Sequence, residues 1–338
     1  MKNLQKSANP PTIYDVAKLA SVSIATVSRV LNSSEHVREE TRNRVLKAID
    51  ELGFLPDAIA RERARKDERH IGVITPFFTI PSITQRLSGI ANTLMDTPYN
   101  LTIFPVDSQK RLDSYYTELP YSRLVDGLII LSLPIDETTL ERFKKRDIPL
   151  LVMENHIKGY SSIEYDNQYG GQLAAEHFIK KGHQRCAFIG NSLVPEYTLS
   201  QEEDRFEGYR KALLNHGIAL PEEYVKMPVL HSRDQDQQIL DLLDIDPAPT
   251  AIFTSTDELA LRVLKIARKR GFRIPEDLAV IGFDDIDIAA YLELTTISQS
   301  LFESGKLAAE HLIAQIADPN RTVENTFIQH KLIERNTT

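Results

Sequence analysis

The stretch ASVSIATVSRVLN, residues 20–32, is nearly uncharged and built mostly from small side chains. Val22, Val27, Val30 and Leu31 are interleaved with Ser23, Thr26, Ser28 and Arg29. Ser23 is placed to cap a helix in which Val27, Val30 and Leu31 recur at i, i+3 and i+4 and point inward. Upstream, TIYDVAKLA begins with Thr12, and Asp15 follows three residues later. That spacing predicts a capping box, followed by a helix with Val16, Leu19 and Ala20 on one face. The SVS segment, residues 21–23, breaks it. Downstream, a third helix is expected over about Glu39 to Leu52, with Val45, Ala48, Ile49 and Leu52 on one stripe. Gly53 would end it in the left-handed position while Phe54 packs back.

Two short helices joined by a tight turn form the helix-turn-helix plan. In that plan the second helix enters the major groove, so its outer face must be small and polar for the backbone to approach DNA. Ser23, Thr26 and Ser28 would donate to phosphates, and Arg29 would fork onto guanine O6 and N7. Ile24 and Ala25 would touch base edges or thymine methyls. The bland alternative is a small helical bundle with a serine-rich solvated face. Charge favours DNA: residues 1–66 carry 12 Lys/Arg against 8 Asp/Glu, whereas the whole chain of 338 residues is −8. A basic head on an acidic body is suited to a polyanion.

The segment TIYDVAKLASVSIATVSRVLNSSEHVREETRNRVLKAIDELGFLP resembles the N-terminal signature of the lactose-repressor/galactose-repressor (LacI/GalR) family of bacterial transcription regulators, through TIYDVA, VS..TVSRVLN and V...TR.RV..AI.ELGF.P. The resemblance continues through nearly the whole chain. It implies an all-α helix-turn-helix head over 1–56, with Thr12, Asn32 and His36 joining the DNA-facing set. A hinge helix over 57–66 would fold only on DNA, in the minor groove between two subunits. Asp57 would cap this hinge, and Ala60, Arg61 and Arg63 would meet the DNA. So short a helix is unstable alone, so its folding couples naturally to dimerisation and DNA. Three residues depart from the family pattern. Ser21 stands where the turn usually has glycine, Asp57 where the hinge cap is usually asparagine, and Arg63 where a leucine usually wedges into the central base step. Arginines bind a narrow minor groove electrostatically but do not unstack bases as an apolar wedge does.

From His70 onward, short apolar runs (HIGVITP, NLTIFPV, DGLIIL, PLLVME, CAFIGN, TAIFTS and LAVIGFDD) alternate with amphipathic stretches near 84–96, 137–146, 167–181, 202–216, 257–270 and 302–316. The alternation argues for parallel sheets covered on both faces. About 270 residues suggest two lobes. The family resemblance implies an α/β two-lobed periplasmic-binding-protein-like (type I) domain over 70–338. Its N-lobe would hold about 70–165 and 295–322, and its C-lobe about 166–292 and 323–338. Ligands in such sheets sit beyond the strand C-termini, in the crevice between lobes.

That rule points to Phe77 and Phe78, Glu154 and Asn155, Thr256 and Asp257, Asp284 and Asp285, and Gln299. The resemblance adds Arg205, matching an arginine that forks onto effector hydroxyls or a carboxylate. It gives Glu154, Asp257, Asp284 and Gln299 polar roles in the same cleft. A sugar needs carboxylates and amides for its hydroxyls and an aromatic face, from Phe77, Phe78 or Tyr197, for its C–H surface. Against these stand plainer roles: Asp257 and Ser255 as helix caps, Asp284 closing a turn, Phe77 and Phe78 in the core. Family effectors include sugars and purine bases, and the acidic set around Arg205 favours a neutral polyhydroxy ligand over a phosphate.

The remaining composition narrows the class. Hydrophobic residues make up 42% and charged residues 26%, which are globular values. No apolar run is long enough to span a membrane, and MKNLQKSANPPTIYD has no apolar core of a secretory signal. The single cysteine, Cys186, lies in an apolar run and forms neither an internal disulfide nor a CxxC site. No GxGxxG or GxxxxGK[ST] follows a strand, so no nucleotide cofactor is expected. His156, His177 and His183 lack zinc-ligand spacing, so no metal is expected. A carbohydrate-acting enzyme using Glu154 or the Asp284–Asp285 pair fits poorly, because adjacent residues at a strand end point to opposite sides. An exported solute binder would need a secretion signal and would have no use for the head. The expectation is a cytoplasmic homodimer on a near-palindromic operator, controlled by a small molecule. Arg29→Ala should cost about 1–3 kcal/mol of operator affinity and relax base preference at one position. Competition binding across operator variants checks this, and an equal loss on every sequence would mean that Arg29 touches only phosphate.

Overall fold

The computed structural model describes residues 12–31, 37–52, 69–122, 124–192, 195–229 and 234–338. The chain divides into two units, Met1–Arg69 and His70–Thr338.

In the first unit, α1 (Ile13–Ala20), α2 (Ile24–Leu31) and α3 (Glu39–Leu52) follow the sequence periodicity. The capping box forms, with Asp15 Oδ2 accepting from the Thr12 N–H at 2.8 Å and from its hydroxyl at 2.6 Å. Ser21 ends α1 in the left-handed region at φ 53°, the conformation for which glycine would be the easier residue. Ser23 caps α2, its Oγ accepting from the Thr26 N–H at 3.2 Å. Val16, Ala17, Ala20, Val27, Val30, Val45 and Ala48 form one small core. Leu19, expected inside, is 47% exposed, and Ala17 takes its place. On so tight a helix pair the contact row accepts alanine more readily than leucine.

The second unit contains two sheets. One runs β11-β5-β4-β3-β1-β2 and the other β12-β10-β9-β8-β6-β7. In the first lobe, β1 (Arg69–Pro76), β3 (Gly127–Leu131), β4 (Leu150–Met153) and β5 (Ser161–Glu164) pair in parallel, and β11 (Asn325–Phe327) joins β5 in parallel. Its first edge is β2 (Tyr99–Val106). In the second, β6 (Cys186–Ile189), β8 (Ala251–Thr254), β9 (Ala279–Asp284) and β10 (Thr295–Ser298) are parallel. β7 (Val225–Lys226) adds to β6, while β12 (Lys331–Ile333) pairs antiparallel with β10. The helices α4 (Pro81–Leu94), α5 (Gln109–Ser122), α6 (Glu137–Lys144) and α12 (Leu301–Ala317) belong to the first lobe. Those of the second are α7 (Asn167–Lys180), α8 (Glu202–Asn215), α9 (Gln235–Leu243), α10 (Asp257–Lys269) and α11 (Asp287–Tyr291).

The expected lobe boundaries need one correction. Residues 295–298 lie in the second lobe's sheet as β10, and residues 325–327 in the first lobe's sheet as β11. The chain therefore crosses between lobes three times: after β5, between β10 and α12, and between β11 and β12. The late strands are only three or four residues long, too short for periodicity to assign them to a sheet.

Arg86 enters this frame through helix packing. Against α4 lies α12, and a Cβ at Gly305 would sit 2.0 Å from the Arg86 carbonyl oxygen. Gly305→Ala must therefore push α4 away. We expect it to cost at least the about 1–3 kcal/mol of ordinary overpacking, read as a lower urea midpoint for the body.

Candidate functional site

On the head, Ser23, Ile24, Ala25 and Arg29 are exposed, and Thr26 and Ser28 are half-buried. Val27 and Val30 beneath them are buried. The helix thus presents small side chains and one cation on one face while its valines hold it to α1 and α3. The Ser23 and Thr26 hydroxyls also bond each other at 2.9 Å, which fixes both at the helix start. Thr12 is exposed beside Asp15. Asn32, His36, Asp57, Ala60, Arg61 and Arg63 lie outside the described residues.

In the body, a cavity of about 170 Å³ is lined by residues from both lobes. Six of them follow or end strands at their C-termini: Phe77 after β1, Ser132 after β3, Glu154 after β4, Asn191 after β6, Thr256 after β8 and Asp284 at the end of β9. Arg86, Gln201, Glu202, Arg205 and Gln299 complete the polar wall.

These side chains form a closed ring. Arg86 Nη2 donates to Glu154 Oε1 at 2.5 Å and to Gln299 Oε1 at 3.1 Å. The Gln299 amide donates to Asp284 Oδ1, which lies 3.9 Å from Arg205 Nη1. Arg205 Nε donates to Asn167 Oδ1 at 2.9 Å, and Asn167 Nδ2 to Gln201 Oε1 at 2.9 Å. Gln201 Nε2 returns to the Glu154 carbonyl oxygen at 3.2 Å. The guanidinium of Arg205 lies 3.8 Å over the Phe283 ring and also donates to the Ser255 carbonyl at 2.8 Å. Ser132 donates to the other Glu154 oxygen.

Burial sets the electrostatics. It pushes the Asp284 carboxyl up to about 6, although the Arg205 and Arg86 charges and the Gln299 amide oppose the rise. It likewise raises Glu202, against two hydrogen bonds from Asn191. Burial alone would lower Arg86, but the facing Glu154 charge leaves it raised. Phe77, Ser132, Glu154 and Asp284 all have positive φ, at 47°, 56°, 61° and 119°. Such values in non-glycine residues are strained.

Six of the eight residues expected in the cleft line the cavity: Phe77, Glu154, Arg205, Thr256, Asp284 and Gln299. Thr256 also caps α10, its hydroxyl accepting from the Leu259 N–H at 3.3 Å. Two expectations need correcting. Phe78 is 42% exposed and does not line the cavity, because the left-handed turn at Phe77 swings the next residue outward. Asp257 is fully buried, accepting from the Thr296 hydroxyl at 2.5 Å and the Ile286 N–H at 2.9 Å, so it ties the start of α10 to β10 and to the turn before α11 instead. Tyr197 packs on the first lobe's core and Asn155 bonds the His156 N–H locally; neither lines the cavity. Asp285 turns away from Asp284 to accept from Arg335 at 2.7 Å.

Sequence reasoning missed Arg86, Ser132, Asn191, Gln201, Glu202 and Gln235. Two signals were present. Arg86 interrupts the apolar stripe Ile83, Leu87, Ile90 and Leu94, where a cation needs a buried partner. Gln201 and Glu202 precede Arg205 by four and three residues, so they share its helix face.

A small DNA-facing head on an α/β body with a polar cleft between two lobes is the architecture of a ligand-responsive transcription regulator. Residues 12–57 match the model of bacterial regulatory proteins of the lacI family, and residues 175–338 a periplasmic binding protein-like domain. The chain is 32% identical to the probable HTH-type transcriptional repressor ExuR of Bacillus subtilis, covering 97% of this chain and 99% of that protein. It is 31% identical to catabolite control protein A of Priestia megaterium, with 97% and 99% coverage. The chain belongs to the LacI family. Among solved structures it resembles the lac repressor dimer bound to operator and the anti-inducer ONPF, with 27% identity, TM-score 0.67 and coverage of 98% and 99%. It also resembles a CelR–cellobiose complex, with 27% identity, TM-score 0.68 and coverage of 97% and 100%.

The native state holds a proton on Asp284 up to about pH 6, against an ordinary value of 3.8, so this group's contribution to stability is lost as pH rises between the two. Asp284→Asn removes that loss. The difference in melting temperature between variant and wild type should move in the variant's favour as pH rises from 4 to about 6 and level off above; a difference flat in pH would mean that Asp284 titrates normally.

Proposed function

We propose that two copies of this chain bind a near-palindromic operator through α2 and the segment after α3, and that a neutral sugar-like ligand between the lobes changes that affinity. The observation that carries the ligand class is the polar ring. Glu154, Asp284 and Glu202 face the cavity beside Arg86 and Arg205, so hydroxyls find acceptors and donors on one wall. Phe77 and Ile80 offer an apolar face for C–H groups. A dianionic phosphate would meet three carboxylates, a costly approach in a buried site. The relatives solved with cellobiose and ribose support the same class.

The protein acts in the cytoplasm, where its operator is. No helix among the described residues is long and apolar enough to cross a membrane. It is not an enzyme: the cavity's carboxylates are held by Arg86, Gln299 and Asn191 in a fixed network, and Asp284 and Asp285 serve different partners. Ligand binding alters the lobe angle and thereby the spacing of the two hinge segments on DNA.

The test is selection of bound sequences from random DNA, repeated with a panel of neutral sugars, sugar phosphates and purines. The expected result is a two-fold-symmetric site whose affinity one neutral sugar changes by about 5–150-fold. The same sugar must then bind the protein–operator complex with affinity changed by the same factor. A response confined to phosphates or purines would overturn the ligand class. Failure to enrich any duplex at low salt would overturn the DNA role.

A further inference from the structure

The turn that carries Asp284 into the cavity is strained at two successive positions. Asp284 and Asp285 are consecutive non-glycine residues with positive φ, at 119° and 59°. The second value lies near the left-handed helical well at about 57°, which aspartate tolerates, but the first lies far outside it. Such backbone persists only where its surroundings over-determine it. Here three successive residues each have an anchor. The Gln299 amide donates to the Asp284 carboxylate. Arg335 Nη2 donates to Asp285 Oδ1 at 2.7 Å. The Ile286 N–H donates to Asp257 Oδ2 at 2.9 Å.

Gln299 lines the cavity and Asp257 opens α10, so two of these anchors belong to the site or to an element beside it. Arg335 does not line the cavity and lies beyond β12, in residues 334–338. That segment is itself fixed at several points. The Arg335 N–H donates to Thr295 Oγ1 at 3.0 Å, and Arg335 Nη1 to the Leu294 carbonyl at 2.7 Å. The Asn336 N–H donates to the Glu293 carbonyl at 2.9 Å. Thr337 is buried; its Oγ1 accepts from the Thr295 N–H at 2.9 Å and donates to the Val280 carbonyl at 2.7 Å. The Arg335 backbone and one arm of its guanidinium are thus held at the start of β10, and the other arm reaches Asp285 from a fixed point. One planar fork serves Leu294 and Asp285 together, which an ammonium cannot do. The pair is only 16% and 23% exposed, so it is screened less than an ion pair on the surface. Adjacent side chains at a strand end point to opposite sides, so a grip on Asp285 sets the direction of Asp284.

We infer that Arg335 is a positioning residue for the cleft: by gripping Asp285 it holds the strained turn that aims Asp284 into the cavity. The plainer role, fastening residues 334–338 to the sheet, falls to Thr337, whose bonds go to β9 and β10 and not to the turn. The inference rests on reading the cleft as the ligand site, but the measurements that test it use ligand-free protein and are decided separately from any response to sugars.

The test compares Arg335→Met, Arg335→Lys and Thr337→Val in the full-length protein. Arg335→Met keeps an apolar stem and removes both arms of the fork. Amide hydrogen exchange at Ile286 should become about tenfold faster or more in this variant, as the turn opens locally. Arg335→Lys keeps the charge and should restore part of the protection. Thr337→Val should speed exchange at Thr295, whose N–H loses its acceptor, and leave Ile286 as in the wild type. Titration then reads where Asp284 sits, since burial is the largest influence on it, ahead of the facing Arg205, Arg86 and Glu154 charges. Displaced from its buried place, Asp284 should titrate below about 6, toward 3.8. The melting-temperature gain of Asp284→Asn between those two pH values should therefore shrink in the Arg335→Met background and persist in the Thr337→Val background. Three results would each overturn the inference: unchanged protection of Ile286 in Arg335→Met, an equal loss of it in Thr337→Val, or the same Asp284→Asn profile in the Arg335→Met and wild-type backgrounds.

Discussion

The body depends on a buried ion pair that neither partner survives alone. Arg86 is 1% exposed and its charge is compensated by Glu154. Burying either ion without the other costs several kcal/mol, so the turn after β4 and the first helix of the lobe must arrive together. Around that pair the ring extends through Gln299, Asp284, Arg205, Asn167 and Gln201 and returns to the Glu154 backbone. It passes through both lobes and one crossing. A ligand that enters this cavity meets hydrogen bonds that the lobes already make with one another, and it shifts the balance between two states only by satisfying one of them better than the other.

Part of the chain's backbone strain lies in the same place. Four cavity residues at strand ends, Phe77, Ser132, Glu154 and Asp284, hold positive φ without being glycine. Each turn directs a side chain across the crevice in place of the next strand position. Glycine would relax the backbone but would supply no ring, hydroxyl or carboxylate. The local cost is sustained by the sheets beneath, whose central strands are wholly buried.

The legibility of the sequence followed the strength of its periodic signals. Ser23 with Val27 and Val30, and the long stripe ending at Leu52, gave the head almost residue for residue, and the strand runs of the body were visible as apolar blocks. The rule that ligands sit beyond strand ends led to Phe77, Glu154, Thr256 and Asp284. It failed at Phe78 and Asp257 because it carries no information about which way a residue after the turn faces. Arg86 lies in an amphipathic stretch, where a charged residue raises no question by itself, yet a cation within the apolar stripe of Ile83, Leu87, Ile90 and Leu94 is itself the signal. Two of the chain's three crossings fall elsewhere than expected, around 295–298 and 325–327, where segments of three or four residues have no period to read and tertiary pairing alone decides.

The head's apolar cluster is drawn wholly from residues 13–52, and its members are mostly valine and alanine. None of the ring residues belongs to it. The two specificities, for a base sequence and for a small molecule, therefore reside in separate physical compartments and are exposed to separate selection. If α2 and the segment after α3 read the operator as proposed, a gene segment encoding both is portable: exchanged between relatives, it would redirect the regulator to a new set of promoters while leaving the ring residues unchanged.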